Sequence, residues 1–116
     1  MKPRMSVLTI GVDDLERSLC SYRDGLGLAT PGIVGAEFEH GAVVFIELQA
    51  GMKLALFPRK SLARDAGTAL QPPSATEFSI GHNVASQAEV DAVMEQARAA
   101  GAQVVKPAQN TFWGGY

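Results

Sequence analysis

One arrangement of sequence patterns occurs twice in this chain, and it limits the folds that the chain can adopt. Residues 5–12 alternate in the way that is typical of a strand, and a helix-start signal follows them. Residues 76–84 show the same arrangement, and superposing Val12 on Val84 gives an offset of 72 residues. Repeats of this kind indicate two copies of one supersecondary unit. The sequence therefore predicts a duplicated βαβ-type architecture within a single domain.

Each copy contains a capped helix. Asp13 with Glu16 forms a capping-box pattern that predicts a helix from about Asp14, and Ser86 with Glu89 predicts a second helix. Their apolar stripes are Leu15, Leu19, Tyr22 and Leu26 in the first helix and Val90, Val93, Met94 and Ala97 in the second. Glycines that tolerate a left-handed cap follow the stripes at Gly25, Gly27 and Gly101.

The first copy continues with three short strands, whereas the second continues with one. We expect these strands at 36–40, 42–49, 53–58 and 102–106. The domain then consists of a first module at 5–58, a polar and mobile linker at 59–75, and an incomplete second module at 76–116. A complete second copy would need roughly 15–25 further residues at ordinary strand and turn lengths.

Composition argues against several classes of partner. Ten Lys and Arg against 12 Asp and Glu give a net charge of −2, so no basic surplus is available for nucleic-acid phosphates. The apolar stretches are strand-sized, and no apolar run follows the charged N-terminus, so we expect neither a membrane span nor a signal peptide. The single cysteine, Cys20, fits a reducing, cytoplasmic location. Because Cys20 falls near the helix stripe, we expect it to behave as a small apolar residue.

Short motifs in both copies resemble the vicinal oxygen chelate superfamily, which contains glyoxalase I, bleomycin-resistance proteins and extradiol dioxygenases. The motifs are VDDLERS at 12–18, YRDGLGL at 22–28, NV at 83–84, EVD at 89–91, AAGA at 99–102 and FWGGY at 112–116. The resemblance implies an α+β fold. In that fold, paired βαβββ modules form a curved mixed sheet around a cup, and here the second module is truncated at its C-terminus.

Enzymes of this superfamily typically hold a divalent metal in the cup through two His and two Glu. Matched to the family pattern, the ligand positions carry Val7, Ala55 and Ser79, and the fourth would lie on a strand that this sequence does not contain. Valine and alanine side chains cannot ligate a metal, and a serine hydroxyl is a poor ligand. We therefore expect no metal and no other cofactor, and a divalent metal enters only under the enzymatic alternative below.

Several side chains are candidates for contact with a ligand. They are Thr9, Phe45, Phe57, Arg59, Asn83 and Trp113. Aromatic side chains suit an apolar pocket, an amide suits a polar group, and an arginine suits a carboxylate at the mouth of the cup. Each has a simpler alternative, which is core packing for the aromatics, a structural hydrogen bond for Asn83 and solvent exposure for Arg59.

Glu47 is the one weak candidate for a catalytic group. It points away from its apolar neighbours, so it faces either the cup, where it could act as a base, or solvent. His82 shares a strand face with Phe78 and Ile80, and we expect it to be a structural histidine beneath the helix. His40 lies beside a turn, and we expect it to be exposed.

Three functions remain open at this point. The first is a metal-independent protein that binds a small organic ligand in an apolar cup, which the resemblance implies for sequestering members of the bleomycin-resistance type. The second is a glyoxalase-like, metal-dependent lyase or isomerase of the lactoylglutathione lyase type, with ligands such as Glu47, His40 or His82. The third is an interaction module without a ligand. A homodimer is expected, because family members commonly pair modules across subunits and an unpaired sheet edge invites another chain.

Overall fold

The computed structural model describes residues 1–76 and 78–116, which form two compact units at 1–72 and 73–116. The fold is α+β, as the sequence predicts. The first unit contains β1 (Val7–Val12), α1 (Leu15–Leu19), β2 (Ile33–Val34), β3 (Val43–Glu47), β4 (Lys53–Pro58) and α2 (Arg59–Ala66). The second unit contains α3 (Gln87–Ala99).

The four strands of the first unit form one mixed sheet in the order β1-β4-β3-β2. β1 runs parallel to β4, whereas the β2–β3 and β3–β4 pairs are antiparallel. A parallel pair needs a crossover connection, and α1 with the π-helical turn that continues it (Cys20–Gly25) lies in that connection. The βαβββ order predicted for the first module is therefore confirmed.

The sheet has one face that is covered and one that is open. The alternation predicted for β1 is confirmed, since Leu8, Ile10 and Val12 are partly buried and Val7 and Thr9 are exposed. On the covered face, Val44, Ile46 and Leu56 are fully buried and pack with Leu54, Leu15 and Leu19. Burial of a side chain of this size contributes about 1.5–3 kcal/mol relative to exposure, so these residues determine which way the sheet faces.

The first helix begins one residue later than the capping-box pattern predicts. Asp14, not Asp13, is the N-cap, and its Oδ1 accepts a hydrogen bond from the Arg17 amide at 3.0 Å. With this register, Leu15 and Leu19 both face the sheet. Cys20 begins the π-helical turn and is exposed, so the expectation that it behaves as a small apolar residue is wrong.

The strand predicted at 36–40 does not form. That segment turns, because Gly35 and His40 adopt positive φ values of 77° and 56°, and the Phe38 amide donates to the Gly35 carbonyl at 3.1 Å. The second strand is instead Ile33–Val34, inside a stretch rich in glycine and proline. Ile33 packs against the buried cluster, so the gain from burial outweighs the weak strand propensity of its surroundings. His40 is exposed, as expected.

The first half of the predicted linker is helical. α2 occupies Arg59–Ala66 and ends at Gly67, which adopts the left-handed cap with φ 67°. The eight residues of α2 contain neither glycine nor proline, and Ser61 on its inner side is buried. Polar composition alone therefore misidentified this segment as a mobile connection, since an amphipathic helix can be largely polar.

The second unit confirms the predicted helix and its cap. Ser86 Oγ accepts from the Glu89 amide at 3.2 Å, and Glu89 Oε2 accepts from the Ala85 amide at 2.9 Å. The first bond satisfies an amide that the first turn leaves without an intrahelical partner, and the second ties the residue before the N-cap to that turn. Among the described residues, no helix combines the length and the apolar character that crossing a bilayer requires.

The strands predicted at 76–84 and 102–106 are absent from the described part of the second unit, and Glu77 lies outside the described residues. A strand exists only when a neighbour accepts and donates its backbone hydrogen bonds. Phe78, Ile80 and His82 are consequently exposed, so the expectation that His82 packs beneath the helix is wrong.

We predict that Leu56→Ala destabilises the first unit by about 2–5 kcal/mol, because Leu56 is fully buried and the substitution leaves a cavity. The matched control is Val7→Ala on the opposite face, which we expect to cost about 0.5 kcal/mol or less. Urea unfolding followed by circular dichroism measures both values. Equal losses for the two variants would contradict the assignment of the covered face.

Candidate functional site

The uncovered side of the sheet is the candidate site, and we call it the open face. Its members alternate with the buried residues along β1, β3 and β4. They are Val7, Thr9, Gly11, Val43, Phe45, Glu47, Lys53, Ala55 and Phe57. The strand register arranges most of them in rows across the sheet, so that Val7, Lys53 and Glu47 form one row and Thr9, Ala55 and Phe45 form the next.

The middle of the open face has a small floor between larger apolar side chains. Ala55 is only 2% exposed, and its cross-strand neighbours are Thr9 and Phe45. Phe57 follows on the same strand and is half-buried. The Thr30 hydroxyl donates to the Phe45 carbonyl at 2.6 Å, which ties the backbone beneath that ring to the segment before β2. This part of the surface suits the apolar body of a small molecule.

Charge is concentrated at one end of the open face. Lys53 Nζ lies 3.2 Å from Glu47 Oε1 and 5.8 Å from the centre of the Phe45 ring. The Glu47 side chain is 60% exposed and that of Lys53 43% exposed. This environment is that of a solvated strand face, which was the competing interpretation of Glu47. A catalytic role for Glu47 stays a prediction.

Arg59 lies beyond the other end of β4, at the first position of α2, and its side chain is only 21% exposed. Its guanidinium lies 3.3 Å from Asp13 Oδ1 and also donates to the Gln71 carbonyl. Its stem covers Gly11, where an added Cβ would meet Arg59 Cγ at 2.8 Å. Arg59 therefore joins the end of β1 to the segment after α2. Its guanidinium contacts Asp13 and Gln71 of the protein itself.

The other sequence candidates lie in the second unit. Asn83 and Ser79 are exposed in a segment without regular secondary structure. Trp113 is 69% exposed, and its ring meets Phe112 edge-on with the centroids 4.8 Å apart. The structure thus brings Thr9, Phe45, Phe57 and Glu47 to the open face, whereas Asn83 and Trp113 belong to a separate unit.

A closed turn presents the rings of Phe112 and Trp113. The Thr111 amide donates to the Gly115 carbonyl at 2.8 Å, and the Gly115 amide donates to Thr111 Oγ1 at 2.9 Å. Gly114 adopts φ 93°, a conformation that glycine tolerates best. After the turn, the Tyr116 hydroxyl donates to Asp91 Oδ1 at 2.8 Å, and this hydrogen bond raises the pKa of Tyr116. These contacts anchor the C-terminus to α3.

Sequence reasoning missed Lys53 as a member of the site. The signal was present, since Lys53 lies two residues before Ala55 on one strand and alternation places both on the same face. The antiparallel register with β3, which only the structure shows, places Lys53 opposite Glu47.

The model of the Glyoxalase/Bleomycin resistance protein/Dioxygenase superfamily matches residues 4–116. This chain belongs to that superfamily. Among solved structures, a glyoxalase-related enzyme from Fulvimarina pelagi is 32% identical, with a TM-score of 0.78 over 97% of this chain and 75% of its own. No protein with curated annotation matches the chain in sequence.

Two more distant superfamily structures share the fold. A glyoxalase/bleomycin resistance protein/dioxygenase from Nocardioides is 22% identical, with a TM-score of 0.70 over 97% of this chain and 72% of its own. A lactoylglutathione lyase from Agrobacterium tumefaciens is 21% identical, with a TM-score of 0.64 over 98% of this chain and 81% of its own. At this level of identity, the two structures support the fold and not the reaction.

We predict that Arg59→Ala destabilises the first unit by about 1–2 kcal/mol, because it removes two polar contacts and uncovers Gly11. Arg64→Ala in the same helix is the control. Arg64 pairs with Glu39 at 3.3 Å on an exposed surface, so its loss should cost about 0.5 kcal/mol or less. Urea unfolding compares the variants, and equal costs would show that the Arg59 contacts do not stabilise the fold.

Proposed function

We propose that this protein binds a small organic ligand on the open face without the metal that enzymes of the superfamily use. The observation that carries the proposal is the composition of the central rows. They combine the small side chain of Ala55 with the rings of Phe45 and Phe57. Ligand sites are mostly apolar surfaces with a few placed polar groups, and this surface meets that description.

The donor chemistry at the expected metal positions supports the same proposal. Val7 and Ala55 stand on the open face and offer only hydrocarbon, and Ser79 offers a hydroxyl that is a poor ligand. Within residues 1–76 and 78–116, no three His, Cys, Asp or Glu side chains come together in an arrangement able to hold an ion. The described residues at these positions therefore do not fit a divalent metal.

We predict that a screen of small organic metabolites raises the melting temperature of the protein, because a ligand that binds only the folded state stabilises it. For a ligand found in this way, Phe45→Ala and Phe57→Ala should each weaken binding about tenfold, since each removes apolar contact area. Phe38→Ala is the matched control, because Phe38 is exposed in a turn outside the sheet and its loss should leave affinity unchanged.

The competing functions make different predictions for the same protein. A glyoxalase-like lyase would bind a stoichiometric divalent ion and isomerise a hemithioacetal, and Glu47→Gln would abolish that activity. If metal analysis found a stoichiometric divalent ion and the assay detected isomerisation, the lyase function would replace the binding proposal. An interaction module would show no rise in melting temperature with any metabolite in the screen.

We further propose that the protein forms a homodimer. Its second unit exposes Phe78, Ile80 and Val105, and a second copy that covered them would remove apolar surface from water. Within the described residues, the outer edge of β1 pairs with no further strand. A cytoplasmic location remains a prediction from the single cysteine.

We predict a mass of twice 12.3 kDa in solution by light scattering. Ile80→Glu should shift that mass toward the monomer, because it places a charge among the exposed apolar residues of the second unit. Lys106→Glu, which changes an exposed residue that is already charged, is the control and should leave the mass unchanged. A monomeric mass for the unmodified chain would refute the dimer.

A further inference from the structure

The Lys53–Glu47 ion pair lies at the end of the open face, directly beside its apolar part. Lys53 and Glu47 occupy the row adjacent to that of Ala55 and Phe45. Among the described members of the open face, they are the only charged side chains. A small molecule that covers Phe45 therefore meets one positive and one negative group at the same end.

The Lys53 ammonium is held in position but keeps hydrogen-bonding capacity. Glu47 Oε1 lies 3.2 Å from it, and the Phe45 ring lies 5.8 Å away, within the range of a cation–π contact. An ammonium carries three N–H donors, so donors remain for an oxygen of a ligand. Two contacts that restrain a flexible side chain reduce the entropy cost of binding through it.

Glu47 supplies the complementary half of the pair. Its Oε1 faces Lys53, and its side chain is 60% exposed, so a carboxylate that accepts hydrogen bonds through two oxygens is accessible to a ligand. The two side chains thus present a donor and an acceptor side by side. Arg59 does not compete for the same role, because its guanidinium is engaged by Asp13 and by the Gln71 carbonyl.

The charge pattern selects among ligand classes. A simple anion that binds Lys53 would be repelled by the negative charge of Glu47. A simple cation that binds Glu47 would be repelled by the positive charge of Lys53. A molecule with an ammonium and a carboxylate attached to the same carbon, as in an α-amino acid, satisfies both groups at once. Its apolar remainder would then lie against Phe45, in the next row of the sheet.

We propose that the open face recognises an apolar amino acid, with its carboxylate on Lys53 and its ammonium on Glu47. This inference rests on the proposed ligand-binding function and specifies its ligand class. The opposing view is that the pair is a cross-strand ion pair that only supports the sheet, as such pairs commonly do. If the pair recognises the ligand, a ligand without charges should bind more weakly. If the pair only supports the sheet, that ligand should bind equally well.

Four related compounds separate these views when the full chain is titrated in a calorimeter. L-phenylalanine carries both charges, N-acetyl-L-phenylalanine only the negative one, L-phenylalanine methyl ester only the positive one, and N-acetyl-L-phenylalanine methyl ester neither. We expect L-phenylalanine to bind about tenfold more tightly than each of the others, since hydrogen bonds to charged groups are the stronger ones. Equal or tighter binding of the neutral compound would overturn the inference.

Variants assign the effect to the pair. Glu47→Gln and Lys53→Met should each weaken binding of L-phenylalanine about tenfold and leave binding of the neutral compound unchanged. Glu39→Gln and Arg64→Met are the controls. They alter a different exposed ion pair, whose nitrogen and oxygen lie 3.3 Å apart and which includes no member of the open face, so they should change neither affinity. Melting temperatures without ligand show whether each variant is folded. Unchanged L-phenylalanine affinity in folded Glu47→Gln and Lys53→Met proteins would overturn the inference.

The outcomes also separate this inference from the proposed function. If the neutral compound or another metabolite binds and the charge pattern has no effect, the amino-acid inference fails and ligand binding on the open face stands. If neither these four compounds nor the metabolite screen gives a ligand, both fail together. If L-phenylalanine alone fails to bind while the screen succeeds with an unrelated compound, the inference fails alone.

Discussion

The sheet of the first unit is oriented by the burial of Val44, Ile46 and Leu56 beneath α1. These side chains alternate with their neighbours along β3 and β4, so burying one set forces the other set onto the opposite face. A slip of one residue in either strand would exchange the two sets. The hydrophobic effect on one side of the sheet thereby determines which side chains are available on the other.

The open face inherits its chemistry from that constraint. Phe45, Ala55 and Phe57 are not buried against α1, and the register brings Phe45 beside Ala55 and Glu47 beside Lys53. An apolar floor next to a charged pair is the result. The superfamily supplies the architecture in which such a face becomes a site, whereas the side chains of this chain decide what the site can hold.

Much of the first module was predictable from local patterns. The limits of β4 agree with the predicted strand at 53–58, and the alternation of β1 gave the correct inward set. Errors occurred where local propensity and tertiary burial disagree. Ile33 forms a strand among glycines because it packs on the core, and Arg59–Ala66 forms a helix although its composition resembles a linker.

By itself, the sequence determined the order of elements in the first module and located the helix caps to within one residue. It also determined the superfamily and the identity of the residues at the expected metal positions. These properties depend on neighbours along the chain or on residue type. Only the tertiary structure decided that Lys53 faces Glu47 and that Arg59 is engaged by Asp13 and Gln71. Those contacts join residues 6, 46 and 12 positions apart, and their formation depends on strand register and helix placement, which the packing of the buried face determines.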